Sequence, residues 1–191
     1  MTNANNAGTS GSETQPEVVL DTVKVWDPFV RLFHWSLVGL FVFAYFTGDE
    51  WDNAHEWAGY AIAALVAVRV LWGIVGPRHA RFSDFVYSPS TIITFLRDSV
   101  AMRAKRYIGH NPAGGAMVIG LIIAITAISA TGYMMTMDSF WGEEWVEEAH
   151  EISVNGTLVL IIGHILGVAL ASIEHKENLV KSMITGLKRR N

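Results

Sequence analysis

Four apolar stretches, at residues 29–47, 56–75, 114–134 and 152–173, constrain this chain more than any other feature. Each holds about 20 residues, and at about 1.5 Å of helical rise per residue each spans the roughly 30 Å hydrocarbon core of a bilayer. The chain has 191 residues, of which 51% are hydrophobic, so little polar sequence remains for a separate soluble domain. The fold class expected is an all-α membrane protein, a bundle of four transmembrane helices.

The ends of these stretches carry stop and start signals. Asp27-Pro28 precedes the first, Gly76-Pro77 follows the second and Asn111-Pro112 precedes the third. An Asp or Asn before a proline reads as an N-cap followed by proline at the first helical position. Residues 1–24, rich in Asn, Ser, Thr and Gly near their start and without a basic, apolar leader, are expected to be a disordered tail. Residues 25–191 form the transmembrane domain.

The net charge of −4 conceals a segregation of sign along the chain. Arg78, Arg81, Arg97, Arg103, Lys105 and Arg106 lie between the second and third helices, and Lys176, Lys181, Lys188, Arg189 and Arg190 follow the fourth. The other two connections hold no basic residue and carry Asp49, Glu50 and Asp52, then Asp138, Glu143, Glu144, Glu147 and Glu148. The positive-inside rule then predicts both termini in the cytoplasm of a bacterial inner-membrane protein. Aromatic side chains fall where interfaces are expected: Trp51, Trp57, Tyr133, Trp141 and Trp145 outside, Trp26, Trp35, Trp72 and Tyr87 inside. Two cytoplasmic segments, 91–102 and 177–188, read as short amphipathic helices docking to the headgroups of membrane lipid.

The chain has no cysteine, which excludes disulfides, thiolate metal sites, cysteine-ligated iron–sulfur clusters and covalent c-type haem attachment. Metal chemistry therefore falls to histidine and carboxylate. Four histidines belong to the spans: His34, two turns into the first helix, His55, opening the second, and His150 and His164 on the fourth. Ionisable side chains at such depth are costly, so they are functional candidates by default. His150 and His164 are 14 residues apart, a rise of about 21 Å and a rotation about 40° short of whole turns, so they share one helix face at two depths. His150 then matches His55 in depth, and His164 approaches His34.

Two histidines at each of two levels suit two six-coordinate haem irons, which take one axial ligand from each porphyrin face. Zinc would need four ligands converging on one point. Arg69, 14 residues after His55, either neutralises a haem propionate or snorkels to the inner interface. Gly39, Gly59, Gly163 and Gly167 would admit a flat macrocycle or serve helix–helix contact. His79, His110 and His175 fall in cytoplasmic segments and are not expected as ligands.

Several motifs are specific when taken together: VWDPFVRLFHW at 25–35, HEWAGY at 55–60, RVLWGIVG at 69–76, ARFSDFV at 80–86, GHNPAGG at 109–115, HILGVALAS at 164–172 and ENLVKSMITG at 177–186. From residue 25 to residue 190 the chain resembles the bacterial cytochrome b561 family, which includes the cytochrome b subunits of nickel–iron hydrogenases. The resemblance implies two b haems in a four-helix bundle, with ligands from the first, second and fourth helices. Carried over by position, it gives His34 and His164 to a cytoplasmic-side haem and His55 and His150 to an outer one. It also implies exchange of electrons between a periplasmic redox partner and the quinone pool, with Tyr107, His110 and Asn111 as quinone neighbours.

The acidic outer connections suit a partner with a basic docking face, a c-type cytochrome foremost, with a hydrogenase as the other candidate. They disfavour an anionic substrate such as superoxide. Small residues on the helices permit a homodimer, and nucleic acid is not an expected partner. From a different class, the competing expectation is a haem-free transporter or metal-ion channel that uses the histidines as a relay.

Overall fold

The computed structural model describes residues 21–48 and 51–190. Asp49 and Glu50 of the first acidic connection, and residues 1–20 of the expected tail, lie outside the described residues. The elements run β1 (Thr22–Lys24), α1 (Pro28–Thr47), α2 (Asp52–Val75), two 3-10 turns (Arg78–Ala80 and Phe82–Asp84), α3 (Pro89–Val100), α4 (Pro112–Met135), a 3-10 turn (Asp138–Phe140), α5 (Glu144–Glu174), α6 (Leu179–Thr185) and β2 (Leu187–Arg189).

Helices α1, α2, α4 and α5 are each long and apolar enough to cross a membrane. Their starts follow the capping signals. Asp27 accepts from the amides of Phe29 (2.9 Å) and Val30 (3.1 Å), and Asn111 accepts from Gly114 (2.7 Å), in each case with proline at the first turn. These bonds satisfy amides that have no carbonyl partner within the helix. Helix α5 has 31 residues, about 46 Å, and starts eight residues before the expected span, so it reaches beyond the hydrocarbon core. Apolarity marked only the lipid-embedded part, whereas Glu144 to Glu151 extend the helix through polar sequence.

α1 packs on α2, α2 on α4 and α4 on α5. A small core of Ala44, Ala58, Ile62, Val66 and Ile125 joins the first three of these helices. Large apolar side chains such as Phe46, Leu71, Val159 and Leu166 face outward, as expected where lipid replaces water as the solvent.

One end of the bundle carries the short connections between α1 and α2 and between α4 and α5. The other is capped by both described termini, α3, α6 and the two 3-10 turns. β1 pairs antiparallel with β2, Thr22 opposite Arg189 and Lys24 opposite Leu187. This corrects two expectations. Thr22–Lys24 falls within the stretch expected as disordered tail but forms a strand, and the segment 177–188 is a short helix followed by a strand instead of one helix.

Gly186 makes that change of direction. Its φ of +82° is a left-handed conformation that closes α6, and a Cβ there would stand 2.8 Å from the Trp26 carbonyl. Its own carbonyl accepts from the amides of Val25 (2.9 Å) and Trp26 (3.2 Å).

The cap is held by buried charge. Glu177 receives Arg106 (3.2 Å), Lys188 (3.7 Å) and the Arg189 amide (3.0 Å), while Lys188 also donates to the Tyr107 carbonyl (3.0 Å). Burial pushes the Glu177 carboxyl upward, but the Arg189 amide, Arg106 and Lys188 together outweigh it and hold the group below its usual range.

Candidate haem-ligand pairs

The structure brings the four span histidines together as two pairs. The rings of His34 on α1 and His164 on α5 have centroids 6.4 Å apart, and those of His55 on α2 and His150 on α5 are 6.2 Å apart. With a metal–imidazole bond of about 2.0–2.1 Å and about 1.1 Å from nitrogen to ring centre, two imidazoles on opposite faces of one iron have centroids about 6.2 Å apart. The separation of each pair matches that spacing. Among the described residues no group of three or more histidine or carboxylate side chains converges as at a zinc site.

The His55/His150 pair is oriented from behind. His55 Nδ1 lies 2.8 Å from the Ala44 carbonyl, in the last turn of α1 where the helix dipole concentrates negative charge. His150 Nδ1 lies 3.0 Å from Thr131 Oγ1. The Thr131 hydroxyl also lies within hydrogen-bond reach of the carbonyls of Ala127 (2.8 Å) and Ile128 (3.1 Å); with its one proton directed to either, its lone pair faces the ring and accepts from Nδ1. Both rings are then Nδ1–H tautomers, and Nε2 is left with a free lone pair for a metal. Gly132 makes room beside Thr131: a Cβ there would meet His150 Cε1 at 3.2 Å.

The His34/His164 pair is held differently. The His34 ring stands edge-on to Trp35 at 5.0 Å, and its Nδ1 is buried without a partner. α1 and α5 meet through these histidines with little direct backbone packing between them. Sites for added carbon on three of the four glycines singled out, Gly39, Gly59 and Gly167, have no atom of the chain within 4 Å, while Gly163 faces Met117 at 3.5 Å. Helix–helix contact within the chain therefore accounts for Gly163 alone.

Arg69 does not snorkel. It is 2% exposed, its guanidinium lies 5.3 Å from the Phe82 ring centre, and one terminal nitrogen has no hydrogen-bond partner. A buried cation with an unpaired nitrogen is costly, and an anionic group beside it would add to the attraction of Asp27 and offset that cost.

The segment expected near quinone lies in the cap. His110 is packed between Trp26 (4.7 Å) and Phe85 (4.4 Å), with Nδ1 buried and unpartnered. Burial, then the positive charges of Arg69, Lys188 and His79, push its pKa down to about 3, so the ring is neutral at physiological pH. Tyr107 lies edge-on to Tyr87 (6.1 Å) and Phe95 (5.8 Å), and the Tyr87 hydroxyl donates to the His110 carbonyl (3.4 Å). Asn111 spends its side-chain oxygen on capping α4. Trp26, expected at an interface, is instead buried against His110, whereas Trp51, Trp57, Trp141 and Trp145 at the opposite end are exposed. His79 pairs with Asp84 (3.1 Å).

Thr131, Gly132 and the Ala44 carbonyl were not singled out by sequence. α4 contains no histidine, so nothing marked it as more than packing, and a backbone carbonyl leaves no trace in residue type. The signal available was positional: Thr131 and Gly132 stand near the end of α4, where a short connection brings them beside the first turns of α5.

Four apolar helices with facing histidines are the arrangement of a membrane electron-transfer cytochrome b. The chain belongs to the prokaryotic cytochrome b561 family, whose model matches residues 25–186. It is similar to a probable Ni/Fe-hydrogenase B-type cytochrome subunit of Bradyrhizobium diazoefficiens, 24% identical over 86% of this chain and 85% of that one. Proteins of the same description from Azotobacter vinelandii and Rhodobacter capsulatus are each 25% identical, over 86% of this chain and 87% and 80% of theirs. No solved structure matches the chain. A b-type cytochrome carries haem b, and the protein is a multi-pass membrane protein.

Proposed function

We propose that the protein holds two b haems, one between His34 and His164 and one between His55 and His150, and passes electrons between the quinone pool and a redox partner outside the bacterial inner membrane. The observation that carries this reading is the separation of the two ring pairs, 6.4 and 6.2 Å, each matching two imidazoles on one iron. The haem iron supplies one-electron chemistry, cycling between ferric and ferrous states. The chain supplies everything else. Its histidines bind and orient, Ala44 and Thr131 select the tautomer of one pair, and Arg69 neutralises a propionate.

The capped end faces the cytoplasm, because the basic connections converge there and basic loops are retained inside. His34 and His164 then form the inner site. Quinone binds beside the inner haem, where neutral His110 offers an unpartnered ring nitrogen in an aromatic cage and Tyr107 and Asn111 flank it. The relatives are hydrogenase subunits by description, which supports a hydrogenase as the partner. The acidic outer connections supply a docking face for it, or for a c-type cytochrome, by charge complementarity.

Oxidised and dithionite-reduced spectra of the detergent-purified protein, with a pyridine haemochrome count, test the reading. Two b haems per chain are expected. His34→Ala and His164→Ala should each remove one, His55→Ala and His150→Ala the other. A colourless protein, or haem indifferent to all four changes, would overturn it and bring forward a histidine-using transporter.

A further inference from the structure

The two histidine pairs differ in what stands behind them. Both rings of the His55/His150 pair donate from Nδ1 to an oxygen, Ala44 O at 2.8 Å and Thr131 Oγ1 at 3.0 Å. Among the described residues neither ring of the His34/His164 pair has a hydrogen bond, and the His34 Nδ1 is buried. An oxygen accepting from the far nitrogen of an imidazole raises the electron density on the ligating nitrogen. That favours the more positive ferric iron over the ferrous one, and second-shell hydrogen bonding is a recognised lever on haem potential.

We propose that Thr131 is a positioning residue for the His55/His150 centre, and that its hydrogen bond, with that of the Ala44 carbonyl, holds this centre at a lower reduction potential than the His34/His164 centre. The proposal rests on the two-haem reading above. Each reduction adds one electron to one ferric iron, and no bond forms or breaks. Fixed charge acts in the same direction. Glu56 adjoins His55, Glu147, Glu148 and Glu151 surround His150 in sequence, and the buried cation Arg69 lies toward the other end of α2. Exposed carboxylates are screened by salt, so the two half-buried hydrogen bonds carry the larger share.

The choice of threonine matters. Its hydroxyl proton has the helix carbonyls of Ala127 and Ile128 as acceptors, and with the proton on either of them the oxygen is an acceptor at a fixed place. Serine preserves the hydroxyl, whereas valine preserves the shape and removes the acceptor.

Spectroelectrochemical titration of the purified holoprotein tests this. Two one-electron waves are expected, and the lower should vanish in His150→Ala while the upper persists. Thr131→Val should raise the lower wave by up to about tenfold in its equilibrium constant, 59 mV for a one-electron couple. It should leave the upper wave in place, and Thr131→Ser should restore the parent value. A lower wave that survives His150→Ala overturns the proposal, as does a Thr131→Val protein with both haems and unshifted waves. Should Thr131→Val lose haem, the order of the waves in the parent still decides. Fewer than two haems in the parent would instead sink the two-haem reading, and the haemochrome count reveals that before any titration.

Discussion

His110 shows how placement overrides residue type. A histidine in a basic cytoplasmic segment reads as solvated, yet here Trp26 and Phe85 enclose it, with Arg69, Lys188, His79 and Asp84 as the charged groups facing it. Its pKa falls from 6.5 to about 3 on folding, so between those values the unfolded chain binds the proton that the folded chain refuses. Stability should therefore decline as pH drops below 6.5, and His110→Gln should flatten that slope between pH 6.5 and about pH 5, above the range where carboxylates titrate. Thermal midpoints in detergent across that window give the comparison. Gly132 poses the opposite case, where absence of a side chain is the point. Gly132→Ala should retain both haems after a small movement of the His150 ring, whereas Gly132→Val should lose the haem of the His55/His150 pair in a haemochrome count.

Elements were legible in proportion to how local their signals are. Asp27 and Asn111 announced α1 and α4 because an N-cap acts within three residues, and the 14-residue spacing of His150 and His164 placed both on one face because a helix has one period. The strand pair had no such signal. β1 and β2 are three residues each and lie more than 160 positions apart, and neither alternates strongly enough to be read as a strand. The cap they form depends on Glu177, whose side chain is 6% exposed beside an equally buried Lys188. Glu177→Ala leaves that cation without its counter-ion and should destabilise the cap by about 3–5 kcal/mol. Glu177→Gln with Lys188→Met should recover part of the loss, since the most buried cation then has no charge to strand, while Arg106 still loses its carboxylate. Because the Glu177 carboxyl is held low, its contribution is complete above the ordinary Glu range and disappears as pH falls through the lowered value. Tryptophan fluorescence, taken as the difference from a Trp26→Phe chain, reports the opening.

At the scale of the whole molecule, the apolar spans and segregated charge were readable because the bilayer imposes a length and the membrane a sign. The sidedness they predict has a direct check. Arg103 and Lys105 are exposed at the capped end, so trypsin should cut there in inverted vesicles and leave spheroplasts uncut. Cleavage from the periplasmic side would reverse the orientation. What the whole-molecule pattern could not reveal was the unequal support of the two histidine pairs, since Thr131 and Ala44 become neighbours of histidines only after helices pair.

The closing of β1 on β2 also sets a schedule. Thr22–Lys24 leaves the ribosome before the bundle, and its partner Leu187–Arg189 comes more than 160 residues later. At about 5–20 residues per second the first strand waits on the order of ten seconds, a period in which all four apolar helices are made. The surroundings of His110 draw on both ends of that interval, with the Trp26 ring from the early segment and the Lys188 charge from the late one. The order of synthesis thus builds in a late step, in which a latch made of the two segments that flank the bundle shuts only after all four of its helices have been made.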